Sequence, residues 1–192
     1  TLGEIATYGI TMQILNILSG FSAIYTNTFL PKITYLRLFN NKEEIKQLYL
    51  KGEFVIFSTI LFCGVILLLF GQRALDLIGS KTPLMDFKLT LFAIILIFEQ
   101  TNMGIAGSVL STKNEVPYFK ASIISGIIIF IGLILAFELF NFGLITLIIV
   151  PLIVDLSYQA WKWPWEVTKE LNIRKYDIFK TVDYLLGKLS IF

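Results

Sequence analysis

Two carboxylates, Glu99 and Asp155, stand out for their chemistry, because each falls inside an otherwise apolar stretch. The run 89–111 reads LTLFAIILIFEQTNMGIAGSVLS, with Glu99, Gln100, Thr101 and Asn102 at its centre. About twenty apolar residues cross a bilayer as a helix. A carboxylate at the midpoint of such a helix costs roughly 2.5–3.5 kcal/mol on insertion scales. It must therefore turn toward a protein interior or a wet cavity, where it can take a proton, hold a small cation or bond a polar solute. The competing reading is a structural hydrogen bond between helices.

Other polar side chains repeat the pattern. Gly9, Gln13, Asn16, Gly20, Ala23 and Asn27 recur at steps of three and four, which keeps them on one face of a helix. That face suits either a helix–helix seam or the wall of a cavity. Asp155, Tyr158, Gln159 and Lys162 share a second face, on which Asp155 could pair with Lys162. The candidate substrate or ion pathway is therefore Glu99, Asn102, Gln13, Asn16, Asn27, Asp155 and Gln159. No catalytic residue, metal site or cofactor is expected.

Composition sets the class of protein that must carry these groups. The 192 residues are 56% hydrophobic and 16% charged, where soluble domains carry about 25% charge. Mean hydropathy is +0.76. There is no His, which excludes His-based triads, imidazole metal sites and His proton relays. Cys63 is the sole cysteine, so neither a disulfide framework nor a Cys metal site is expected. Nucleic-acid binding is not expected either. The chain opens Thr1-Leu2-Gly3-Glu4, without Met or a basic leader, and reads as a piece of a longer protein.

The elements follow from the apolar runs. The expected fold is all-α: a polytopic transmembrane bundle over 1–165, with spans at about 5–30, 54–70, 89–111, 118–137 and 144–161. Pro31 is expected to close the first span. A polar connector follows over 31–52, in which Asn41 with Glu44 resembles a capping box that opens a short helix toward Gly52. Over 71–88 a loop with a short interfacial helix at 74–78 is expected. The turn 112–117 is short enough to make the third and fourth spans antiparallel neighbours, and a second short turn is expected at 138–143. Gly104 with Ser108, and Gly107 with Ser111, are small-xxx-small contacts. Tyr158, Trp161, Trp163 and Trp165 read as an interfacial belt. The tail, 166–192, reads as a cytoplasmic amphipathic helix with Asp177 as its N-cap.

Alternate connectors share a side of the membrane. Thirteen of the 16 Lys and Arg then fall on the side of 31–52, 111–120 and the chain from Lys162 onward. The positive-inside rule makes that side cytoplasmic, with Thr1 outside and Phe192 inside.

Four motifs, in order, resemble bacterial polysaccharide flippases. They are Glu4-Ile5-Ala6-Thr7-Tyr8-Gly9-Ile10 at the opening of a late helix; Phe29-Leu30-Pro31-Lys32-Ile33 followed by Asn40-Asn41-Lys42-Glu43-Glu44; Asn102 with Leu110-Ser111-Thr112-Lys113-Asn114-Glu115-Val116-Pro117; and Tyr158-Gln159-Ala160-Trp161-Lys162-Trp163-Pro164 at an exit. Over about Glu4 to Val167 the chain is similar to O-antigen-type flippases of the multidrug/oligosaccharidyl-lipid/polysaccharide exporter superfamily. That resemblance implies the last five of twelve spans, with the N-terminal half absent. It implies movement of an undecaprenyl-pyrophosphate-linked oligosaccharide across the bacterial inner membrane for surface polysaccharide synthesis. The implied partners are the lipid-linked oligosaccharide, membrane lipids, the missing half and other glycan-assembly proteins. Cations that family cavities offer to the pyrophosphate have no counterpart mid-span here. Rival readings are an ion-coupled drug or small-molecule exporter of the same superfamily, a membrane enzyme of the same glycan pathway, and a non-enzymatic scaffold. The missing His and the short loop at 71–88 argue against the enzyme.

Overall fold

The computed structural model describes residues 2–138 and 143–189, and every regular element among them is helical. In order these are α1 (Leu2–Leu38), α2 (Lys42–Leu77), α3 (Phe87–Ser111), α4 (Phe119–Glu138), a 3-10 turn (Gly143–Ile145), α5 (Thr146–Ser157), α6 (Gln159–Glu170) and α7 (Lys175–Leu189). Four segments are long and apolar enough to cross a bilayer: Lys42–Leu77, Phe87–Ser111, Phe119–Glu138 and Gly143–Glu170. The protein is thus an all-α polytopic membrane bundle. At 37 residues, α1 has the length to cross but carries Gln13, Asn16 and Asn27 in its middle and is not among the four. Residues 139–142, most of the turn expected at 138–143, lie outside the described residues, as do 1 and 190–192.

Local chemistry explains the helix ends. Asn41 caps α2 with the first half of the expected box, while its own backbone amide donates to the Leu36 carbonyl. Its Oδ1 accepts from the Glu44 amide at 3.2 Å, and its Nδ2 reaches the Glu44 carboxylate at 3.3 Å. The ends of α1, α2 and α6 share one device, a left-handed residue after the helix: Asn40 (φ 52°), Gly79 (φ 72°) and Asn172 (φ 50°). In each case the next amide bonds a carbonyl five residues back, as in Asn41 to Leu36 at 3.1 Å.

Several boundaries differ from expectation. Pro31 does not close the first span, since α1 runs through it to Leu38. A proline frees only the carbonyl four residues earlier, and Pro31 and Asn27 both lie on the exposed side of α1. Nor is 31–52 a separate connector. The helix that Asn41 starts continues for 36 residues and absorbs both the connector and the residues 74–77 expected at the interface. Gly52 sits where a Cβ would lie 2.5 Å from Thr26 Oγ1, so it permits close approach of α1 and α2 without breaking the helix.

The core is built on α3, which packs against α1, α2, α5 and α6. The turn after α3 does not make α4 its neighbour, because α4 packs along α5 instead. Tyr118 fills the space beside Gly107, its Cε1 3.2 Å from where a Cβ would stand, and α5–α6 occupies the flank of α3. Most of α4 is exposed, with only Ser125 and Ala136 buried, as expected of a lipid-facing helix.

The two ends of the bundle are tied by different bonds. At one end Arg37 pairs with Glu170, which also holds Lys113 at 2.6 Å. At the other, the Met85 amide donates to Thr11 Oγ1 at 3.0 Å. Two details of the tail change. α6 crosses position 165 unbroken, and Asp177 is the third residue of α7, its carboxylate accepting from the Arg174 amide at 2.9 Å. Trp161 and Trp165 are exposed as a belt requires, whereas Trp163 is 4% exposed and belongs to the core.

Candidate functional site

Successive residues of a helix turn by about 100°, so four consecutive polar side chains fan out around α3. Thr101 reaches α1, its Oγ1 2.7 Å from Ser19 Oγ, and also donates to the Ile97 carbonyl at 2.6 Å. Gln100 reaches α5, with Nε2 3.5 Å from Asp155 Oδ2. Asn102 reaches α2. With its amide turned to donate, its nitrogen lies 2.8 and 3.1 Å from the two carboxylate oxygens of Glu53. The Tyr49 hydroxyl, one turn earlier on α2, bonds the same carboxylate.

Glu99 is different. It is 5% exposed, and neither carboxylate oxygen has a hydrogen-bond partner among the described residues. Asp155, 4% exposed, lies close enough for its charge to act on Glu99. Buried polar groups are bonded as a rule, and each exception needs a reason. An unpartnered carboxylate beside a second one can take up a proton or a monovalent cation, because either supplies what the protein does not.

Asp155 does not pair with Lys162. The backbone breaks at Tyr158 (φ −148°, ψ −57°), and Lys162 pairs with Glu166 at 2.6 Å. Gln159 is buried beyond the break, where its Oε1 accepts from Trp163 Nε1 at 3.2 Å and from Ser122 Oγ at 3.3 Å. It lines a cavity of about 190 Å³ with Met103, Gly107, Tyr118, Ser122 and Trp163.

The structure thus gathers Glu99, Asn102 and Asp155 around α3, with Gln159 across the adjoining cavity. It does not bring Gln13, Asn16 and Asn27 to them. The buried face of α1 is Thr11, Leu15, Ser22, Thr26, Ile33 and Leu36. The amide stripe is exposed, and nothing lies within 4 Å of a Cβ at Gly9 or Gly20. The expectation that all these groups turn inward therefore fails for the stripe. The reason is that the hydroxyl residues, offset around the same helix, provide the seam.

Glu53 and Tyr49 are the members that the sequence reading left out. A span beginning at 54 excludes Glu53, and the signal for it was the absence of any strong helix breaker between the Asn41 cap and Gly79. Searches against family models, curated proteins and solved structures find no match to this chain.

Proposed function

We propose that the chain forms one wall of a transmembrane route for a polar solute, as part of an O-antigen-type flippase for a lipid-linked oligosaccharide. The observation that carries this reading is the unpartnered, buried Glu99 beside Asp155, at the centre of a helix that crosses the bilayer. A sugar cannot enter hydrocarbon without replacement hydrogen bonds. The amides of α1 offer such bonds on an open face, and Ser19, three residues from Asn16, ties the edge of that face to the polar centre of α3. In this reading a second helical bundle closes the route opposite α1, and rocking of one bundle against the other gives alternating access. The Glu99–Asp155 pair couples that motion to an ion, its occupied and empty states favouring different arrangements of α3 and α5. The lipid-linked substrate and the bacterial inner membrane rest on the four ordered motifs, and the placing of the Lys- and Arg-rich end inside rests on the charge distribution.

The test is complementation of a flippase-deficient strain by the full-length gene carrying the wild-type chain, Glu99→Gln or Asp155→Asn. Restored surface polysaccharide with the wild type, lost in both variants at equal membrane abundance, is the expected result. Wild-type failure combined with increased drug resistance would favour the small-molecule exporter. Full function in both variants would refute the role of the pair.

A further inference from the structure

The corner where α2, α6 and α7 meet holds five cations, Lys46, Lys51, Lys169, Arg174 and Lys180, around two adjoining cavities of about 340 and 870 Å³. The acids lining these cavities are Glu43 and Asp177. Both are engaged by one cation: buried Lys46 lies 2.8 Å from Glu43 and 3.4 Å from Asp177. That triad fastens α7 to α2. Arg174 shares Asp177 with Lys46 and Lys169 faces Glu166, and the five cations still outnumber these three acids. Lys51 stands 5.4 Å from the centre of the Tyr184 ring, and Lys169, Arg174 and Lys180 are exposed.

The same corner carries the marks of the bilayer surface. Exposed Trp165 lines the larger cavity, and Trp161 is exposed one turn earlier on α6. On α7, Tyr176 and Phe179 are 71% and 66% exposed. The exposed face of α7 interleaves Lys175 and Lys180 with these aromatics and with Asp183, as on a helix lying in the headgroup layer. Cations clustered on such a helix beside a membrane span attract anionic headgroups.

We propose that this corner is a binding site for the phosphate headgroup of an anionic phospholipid. Lys51 and Lys180 hold the phosphate from the smaller cavity, and Lys169 and Arg174 extend the site into the larger one. Tyr176 and Phe179 seat among the upper acyl segments. Those two aromatics decide the occupant, because a soluble phosphate would leave them bare. The site is separate from the Glu99–Asp155 pair and stands whether or not the transport reading does.

Native mass spectrometry of the full chain in detergent, titrated with phosphatidylglycerol or phosphatidylcholine, tests the proposal. Phosphatidylglycerol is expected to bind at least about tenfold more tightly than phosphatidylcholine. Lys51→Gln/Lys180→Gln should abolish most of that preference, while Lys51→Arg/Lys180→Arg retains it, so that lost charge is separated from lost folding. Equal binding of the two lipids, an unchanged preference in the Gln variant, or displacement of phosphatidylglycerol by millimolar inorganic phosphate would overturn it.

Discussion

Glu99 offers a perturbation whose two readouts should move in opposite directions. Its oxygens lack partners, so the folded state bears the desolvation of a polar group without compensation. Such a group costs about 1–3 kcal/mol, and more when charged. Methionine matches its length, favours helix and needs no hydrogen bond. Glu99→Met is therefore expected to stabilise the bundle by about 1–3 kcal/mol. For a chain of this size that raises the melting temperature by about 2–4 °C per kcal/mol. The assay is thermal unfolding in detergent, followed by the fluorescence of Trp163, which lies in the core. Transport by the full-length protein carrying Glu99→Met should disappear in the same experiment series. A residue kept for structure would behave in the reverse sense, with a lower melting temperature and retained transport. A drop of several degrees in Glu99→Met would refute the claim that Glu99 is unsatisfied, and with it the assignment of the pair as an ion site.

Four further outcomes follow from the geometry. Gly52→Ala would place a methyl 2.5 Å from Thr26 Oγ1, so that hydroxyl must turn away or α1 must shift from α2; a loss of about 1–3 kcal/mol is expected, read by urea or thermal unfolding, whereas Gly20→Ala, with open space around it, should be near neutral. At the basic end, Arg37 donates to Thr112 Oγ1 at 2.9 Å and pairs with Glu170, both charged side chains being 14% exposed; Arg37→Lys is expected to cost about 2 kcal/mol, between exposed and fully buried pairs, measurable as a lower melting temperature. The Arg174 amide, followed by Lys46, holds the Asp177 carboxyl below the usual aspartate range. A depressed folded-state pKa stabilises above the unfolded value and is lost as pH falls through the folded one, so the α7 cap should hold at neutral pH and release only below about pH 4, as monitored by Trp165 emission. Finally, with Cys63 replaced by Ala, Asn16→Cys in the full-length protein is expected to react with a membrane-impermeant thiol reagent and Ile17→Cys, 100° around the helix, to stay protected; equal reaction at both positions would remove the amide stripe from the route.

The bundle was legible because length and hydropathy act locally: the spans 89–111 and 118–137 match α3 and α4 within two residues. What the sequence hid were properties of the whole assembly. Pro31 reads as a stop, yet one missing amide on an exposed face does not end a helix held by packing along its other side. Lys42 to Lys51 read as a short helix ending at Gly52, yet the same residues are only the first turns of a helix that runs on to Leu77. The short turn at 112–117 fixes how far the chain travels between α3 and α4, but α5 and α6 decide which helix lies against which. Glu99 and Asp155 were found because a charge within an apolar run is visible in one dimension. Glu53 was not, because only the unbroken length of α2 places it beside Asn102.

Periodicity also separates the two polar patterns that the sequence presents together. Four adjacent polar residues cannot share a face, since each is rotated about 100° from the last. Such a run is tolerable in hydrocarbon only on a helix surrounded by others, and α3, in contact with four helices, is that helix. Steps of three and four do the opposite and gather their side chains on one stripe. A stripe can sit at the edge of a bundle, as on α1, with Ile17, Phe21 and Ile24 facing outward beside it at 53–60% exposure. The apolar neighbours suit lipid and the amides do not. That asymmetry on one helix calls for something polar against one flank and hydrocarbon against the next, and in the proposed reading hydrated space between two bundles supplies it.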